Sequence, residues 1–316
     1  MIKMNQIIAD FNSLKFESLM SEKENWFFDT HGYMIVKNVI TKDEANYLID
    51  KFESWSQLPD EKVPHPLKRS LESTVFQNMH YVEEKYQDLI LNHRIMKYVS
   101  SILLHNPRLM FSSVIKLTKD QKRKKHPNKN QENKLQKFIE DGNVLLHRDT
   151  NGYNYPFESF INPLIGYQVV NGVIHSGYVN VSVTLVDVPD DHGIGLIPGS
   201  HKSNFNTPLI ESDDPYKEYI QSFELTAGDA IVFVPNLLHT SRKWELDYPR
   251  YTIFNRYVFG KYIDEGYSSH AFEEYKDNIN DELYELEKKN IHQEKKIVSR
   301  LKNIYQNRSN NTLNSA

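Results

Sequence analysis

The chain has 316 residues, 39% of them hydrophobic and 25% charged, and a formal net charge of −4: globular composition, with enough length for a full core. It contains no cysteine, which excludes a disulfide scaffold, a thiolate nucleophile and a thiolate metal site, so any bound metal must take imidazole and oxygen ligands. No stretch approaches the roughly 18 apolar residues of a membrane helix, and the first twenty residues carry no signal-peptide core, so a cytoplasmic protein with no membrane partner is expected.

Trp26 to Ile40, WFFDTHGYMIVKNVI, opens on an aromatic cluster and passes Gly32 into a short strand pattern. Thr41 and Glu44 have capping-box spacing and predict a helix that carries Ala45, Leu48, Ile49 and Phe52 on one face. PDEKVPHPLKRS, rich in proline and charge, reads as a surface loop, and residues 82–104 alternate at helical spacing. The lysine-rich tract 116–137 has no interleaved aromatics and lies between two strand patterns of a net acidic chain. A solvated loop or lid is therefore expected there, and no nucleic-acid partner.

From residue 141 the pattern changes to short strands broken by Pro, Gly and Asp turns: GYVNVSVTLVDV, AGDAIVFVPNLLHTS, YPRYTIFNRYVF. The 19 tyrosines and 16 phenylalanines also favour strands, and the pattern predicts an all-β core such as a jelly roll. GIGLIPGS lacks the lysine and following helix of a phosphate loop. Residues 271–302 read as helical but too irregular for a coiled coil, and NRSNNTLNSA as a disordered tail over its last residues. The division expected is one catalytic domain over 1–302, with helices and a first strand in 26–104, the β core in about 105–262, the helical segment 271–302, and a tail over 303–316.

Inside DGNVLLHRDT, His147 and Asp149 are two residues apart, so in extended backbone both side chains point to one face and Arg148 to the other. That is half of a metal site. Among downstream histidines, His175 (NGVIHSG), His192 (PDDHG) and His201 (PGSHK) lie in turns or loops. His239 closes the strand pattern AIVFVPNLLHTS. His147, Asp149 and His239 would give two imidazoles and one carboxylate, a set that holds iron(II) on one face and leaves other positions open. An isolated HxD is common by chance, and its spacing alone is weak evidence.

The surrounding segments carry more. FFDTHGYMIVKNVITKDEA, the HxD, VTLVDVPDDHGIGLIPGSHK and LTAGDAIVFVPNLLHTSRKWELDYPRYTIFNRY, in this order, resemble the phytanoyl-CoA dioxygenase-like family of iron(II)- and 2-oxoglutarate-dependent oxygenases, over about residues 26–262. The resemblance implies a double-stranded β-helix (cupin-like jelly roll) core with flanking helices. It implies iron(II), 2-oxoglutarate and O2 as cofactor and co-substrates, His147, Asp149 and His239 as metal ligands and catalytic centre, and Arg250, eleven residues after His239, as the grip on the distal carboxylate of 2-oxoglutarate. Thr252 shares Arg250's strand face and could join it. Tyr178, Asn180, Ser182 and Thr184 form one polar strand face opposite Val179, Val181, Val183 and Leu185. Asn180 and Thr184 are candidates for 2-oxoglutarate or substrate, or for solvent. Gln168, Tyr178 and Arg256 are substrate-binding candidates, Arg256 for an acidic substrate or for a surface aspartate.

The expected reaction is oxidation of an unactivated C–H bond of a small molecule, an acidic metabolite preferred, by hydroxylation, desaturation or oxidative cyclisation, with succinate and CO2 as co-products. Two rivals stand beside it: a cupin-like metalloenzyme independent of 2-oxoglutarate, and a non-catalytic β-domain that binds a partner. The sequence leaves the oligomeric state open.

Overall fold

The computed structural model describes residues 19–70, 74–104, 107–119, 146–149, 166–203, 218–260 and 272–288. Most of the lysine-rich tract, the tail 303–316 and the end of the helical segment 271–302 lie outside the described residues.

Capping boxes set the first two helices. In α1 (Glu22–His31) the Ser21 hydroxyl accepts from the Glu24 N–H and the Glu24 carboxylate accepts from the Ser21 N–H, while Gly32 ends the helix at φ 80. The reading of Trp26–Ile40 as an aromatic cluster leading to a strand missed this helix; Ser21, Glu24 and Gly32 were its signals. Thr41 and Glu44 make the same box for α2 (Lys42–Ser56), which buries Ala45, Leu48 and Phe52 as the spacing predicts. The helical pattern over 82–104 is two helices, α3 (Glu84–Ile90) and α4 (His93–Ile102). Asn92 separates them and caps α4 by accepting from the Arg94 N–H.

The core is a seven-stranded antiparallel sheet in the order β1-β9-β7-β11-β4-β3-β2: β1 (Tyr33–Val36), β9 (Ala230–Phe233), β7 (Tyr178–Thr184), β11 (Arg250–Phe259), β4 (Pro107–Leu117), β3 (Val75–Gln77) and β2 (Lys68–Arg69). β8 (Ile194–Leu196) and β10 (His239–Ser241) form a second, smaller sheet. Isolated bridges His147↔His239 and Leu196↔Gln221 extend it on either side. This is the jelly-roll core that the strand pattern predicts. Between these layers lies the polar face of β7, while Val179, Val181, Val183 and Leu185 belong to the hydrophobic core. β11 alternates likewise: Tyr251 and Tyr257 reach the helices, donating to the Glu53 carboxylate (2.5 Å) and the Ile90 carbonyl (2.8 Å), so Arg250, Thr252, Phe254 and Arg256 face the other way.

β5 (Gln168–Val170) and β6 (Val173–His175) make a separate hairpin. Its turn is at Asn171-Gly172, both at positive φ (52 and 76), the type I′ signature; His175 is therefore paired with Gln168 at the far end from the tip. After the core come α5 (Phe272–Tyr275) and α6 (Asp281–Glu287), within the segment expected to be helical.

Candidate metal centre

The HxD segment is held as an edge of the small sheet. His147 and His239 exchange both main-chain hydrogen bonds, each 2.9 Å, and the Asp149 N–H donates to the Pro235 carbonyl at 3.0 Å. Directly opposite residues of paired strands carry neighbouring side chains on one face, and the two imidazole centroids are 4.3 Å apart. Arg148, facing away as expected, is buried and donates to the carbonyls of Asn236 and Ser200, both at 2.9 Å, which ties the HxD segment to the PGSHK loop.

Asp149 Oδ1 lies 3.7 Å from His147 Nε2 and 3.8 Å from His239 Nε2. These distances are too long for hydrogen bonds, yet an ion about 2.1 Å from each atom would span them. All three donor atoms lie within 4.8 Å of one another, and this is the one such group of three among the described residues. His239 Nδ1–H donates to the Leu237 carbonyl at 2.8 Å, so its Nε2 presents a lone pair to the other two side chains. Burial, with His147 beside it, brings the His239 pKa down to about 4, so the ring is neutral near pH 7, as a ligand must be. Burial alone would raise the Asp149 pKa, but His239, Arg256, His147 and the Asn180 hydrogen bond outweigh it and hold the carboxyl ionised. The donor set and protonation states fit iron(II).

Around the triad, Asn180 Nδ2 donates to Asp149 Oδ2 at 2.6 Å and Arg256 Nη2 to the same oxygen at 2.9 Å. The ring of Tyr178 lies under the Arg256 guanidinium, 4.7 Å from centroid to carbon. Phe233 packs edge-on against His239 at 5.0 Å.

Arg250 is buried at the start of β11, with Nη1 3.3 Å from the Ser241 hydroxyl. Ser241 follows His239 by two residues and shares its face of β10; sequence reasoning passed over it, although the i, i+2 rule that pairs His147 with Asp149 applies equally to His239 and Ser241. Thr252 Oγ1 is buried with no hydrogen-bond partner among the described residues, on the strand face of Arg250. Thr184, opposite Thr252 across the β7–β11 pairing, spends its hydroxyl proton on the Val186 carbonyl at 2.8 Å. Gln168 is exposed in the β5–β6 hairpin, outside the sheet that carries the other candidates. His201 is no part of the cluster: it bonds the Asp29 carbonyl at 2.9 Å.

The model of the phytanoyl-CoA dioxygenase (PhyH) family matches residues 28–245. No curated protein matches the chain in sequence. Among solved structures it is similar to HygX from Streptomyces hygroscopicus with nickel and 2-oxoglutarate bound, at 18% identity and a TM-score of 0.55 over 76% of this chain and 87% of that one. HygX has also been solved with hygromycin B in addition, at a TM-score of 0.54 and 18% identity, covering 76% and 87%. EctD from S. alaskensis, in its apoform, is similar at 15% identity and a TM-score of 0.55, covering 81% and 84%. These likenesses establish the shared fold. No helix among the described residues is long and apolar enough to cross a membrane.

Proposed function

This chain belongs to the phytanoyl-CoA dioxygenase (PhyH) family, and from that membership we propose that it oxidises an unactivated C–H bond of a small molecule, with His147, Asp149 and His239 as the iron ligands. It is an iron(II)- and 2-oxoglutarate-dependent dioxygenase-type enzyme. The observation that carries the assignment of ligands is the convergence of two imidazoles and one ionised carboxylate, with His239 Nε2 freed by the bond its Nδ1 makes.

Iron(II) with 2-oxoglutarate and O2 supplies the oxidant for C–H cleavage, giving succinate, CO2 and an oxidised substrate. The protein binds, orients and excludes water. Arg250 takes the far carboxylate of 2-oxoglutarate through its guanidinium fork, and the buried Thr252 hydroxyl, which has no partner among the described residues, supplies a further donor beside it. Ser241, already 3.3 Å from Arg250, completes that end. Phe233 and Phe254 make the apolar walls on the sheet side, and Tyr178 and Thr184 continue the same face. The described elements work as one catalytic domain. Hydroxylation is the default outcome; desaturation or ring closure follows where the substrate lies away from the transferred oxygen. A small-molecule substrate accords with the hygromycin B held by HygX. The preference for an acidic one weakens, because Arg256 is engaged with Asp149.

Under anaerobic conditions, iron(II) followed by 2-oxoglutarate should give the weak visible charge-transfer band of the chelate. His147→Ala should lose the band. Arg250→Ala should need about 10- to 100-fold more 2-oxoglutarate to develop it, the equivalent of about one charge-assisted hydrogen bond. Iron binding with no band at any 2-oxoglutarate concentration would put the cupin-like rival ahead. No iron binding would leave the non-catalytic module.

A further inference from the structure

Asp149 has two carboxylate oxygens, and the fold treats them differently. Oδ1 faces the two histidine Nε2 atoms at 3.7 and 3.8 Å. Oδ2 accepts from Asn180 Nδ2 at 2.6 Å and Arg256 Nη2 at 2.9 Å, and Arg256 Nε donates to Asn180 Oδ1 at 3.0 Å. The three side chains close a ring of hydrogen bonds. Only one orientation of the Asn180 amide satisfies it, because a flip would set oxygen against carboxylate and NH2 against guanidinium. Asn180 is fully buried, and both its amide groups are used inside the ring.

The backbone fixes this arrangement. Asn180 and Arg256 are directly opposite one another in the β7–β11 pairing. On the other side of β11, the register with β4 shifts between Arg256 and Tyr257, where Met110 of β4 is passed over, so the irregularity lies on the neighbouring strand beside Arg256. The Tyr178 ring beneath the guanidinium, 4.7 Å away, braces its plane. A carboxylate left to itself turns readily about its last torsion and can offer a cation both oxygens. A second Asp149 oxygen on the metal would fill a position that 2-oxoglutarate, which needs two, and O2 must share.

Resting on the metal-centre reading above, we propose that Asn180 and Arg256 are positioning residues that hold Asp149 Oδ2 off the metal, so that the carboxylate binds through Oδ1 alone. This replaces both sequence expectations for the pair. Asn180 serves the ligand and not 2-oxoglutarate, and Arg256 pairs with the buried Asp149 and not with a surface aspartate or an acidic substrate.

The test uses the full chain, metal-free, titrated with Co(II) alone. Arg256→Met should weaken Co(II) binding about 10- to 100-fold, and Arg256→Lys, which keeps the charge but loses the fork, by less. Infrared difference spectra of Co(II)-loaded protein carrying 13C-labelled aspartate supply the signature. The splitting between the asymmetric and symmetric carboxylate stretches, wide for one bound oxygen, should narrow in the variants. Asn180→Ala, which removes one of the two bonds to Oδ2, should act in the same direction and serves if Arg256→Met does not fold. Variants that bind Co(II) within about twofold of wild type with unchanged stretches overturn the proposal. Weaker binding with unchanged stretches also overturns it, leaving Arg256 as a counter-charge only. If the wild type itself does not bind Co(II), the metal-centre reading falls first.

Discussion

His201 in PGSHK shows how a histidine in a ligand-rich chain can be structural. Its Nε2–H donates to the Asp29 carbonyl at 2.9 Å, and its Nδ1 is buried against Gly32, where an added Cβ would come within 2.5 Å of it. Burial, with Lys202 and His31 adding repulsion, takes its pKa to about 4 from 6.5. The folded state therefore refuses a proton that the unfolded chain accepts, so stability is complete above pH 6.5 and falls as pH drops towards 4. Over pH 7 to 4.5 the loss due to this group is about 2 kcal/mol, at about 1.4 kcal/mol per pKa unit. Urea unfolding at both pH values should show wild type losing that much more than His201→Gln; equal losses would contradict the buried, neutral ring. Histidines that do not interact with His201 contribute to both proteins alike. At this scale the spacing of His147 and Asp149 and the place of His239 at a strand end made them candidates, and the family-like segments around them singled them out. The chain could not disclose that Asn180 meets Arg256, 76 residues away, since that depends on the register between two strands distant in sequence.

Elements were legible where a local rule decides them and illegible where tertiary packing does. The Thr41–Glu44 box and the alternation of β7 are local, and both stand in the fold. The break at Asn92 is not: helical spacing runs through it, and the side chain that stops α3 from running on also reaches across to the Val39 carbonyl at 2.5 Å. The turn before β9 combines both kinds of information. AGD reads as a turn, but the reason for Gly228 lies in the neighbouring loop. Gly228 has φ +94, its carbonyl accepts from the Val39 N–H at 2.8 Å, and a Cβ would come within 2.1 Å of the Ile40 carbonyl oxygen. Asp229 fastens the same contact, accepting from Asn38 N–H at 2.9 Å and Lys37 Nζ at 2.8 Å. Gly172 is a matched control, with φ +76 and nothing within 4 Å of a Cβ. Gly172→Ala should cost only the left-handed conformation, about 1–2 kcal/mol. Gly228→Ala must also displace backbone and should cost more than about 3 kcal/mol in thermal or urea unfolding. Equal costs would mean that the close approach carries no energy.

Across the whole molecule, the two-layer core was readable from strand punctuation and from the order of the family-like segments, because turn residues mark strand ends whatever the strands pair with. The attachment of the C-terminal segment was not readable, since it depends on buried polar groups roughly two hundred residues apart. Glu287, the last residue of α6, is buried with Oε1 2.7 Å from His80 Nε2 and accepts from the Tyr81 hydroxyl. It is also the counter-charge of Arg108 on β4, whose pKa burial lowers and Glu287 pulls back up. Gln87 joins the same layers by donating to the carbonyls of His80 (2.8 Å) and Asn278 (3.0 Å) and accepting from the Asn280 N–H (3.0 Å). Removing one member of a buried charged cluster is costlier than the cluster is favourable, because the remaining groups keep their desolvation cost. Glu287→Ala should therefore lose about 3–5 kcal/mol. Glu287→Gln, which keeps an acceptor for Tyr81 but not the charge, should lose less. If the charge matters through Arg108, combining Glu287→Gln with Arg108→Met should cost less than the sum of the two single changes, by about 1 kcal/mol or more. Urea unfolding of the four proteins in that cycle decides the point: additive losses would confine the role of Glu287 to its contacts with His80 and Tyr81, while a coupling of that size would make one buried charge the fastening of α6 to the sheet.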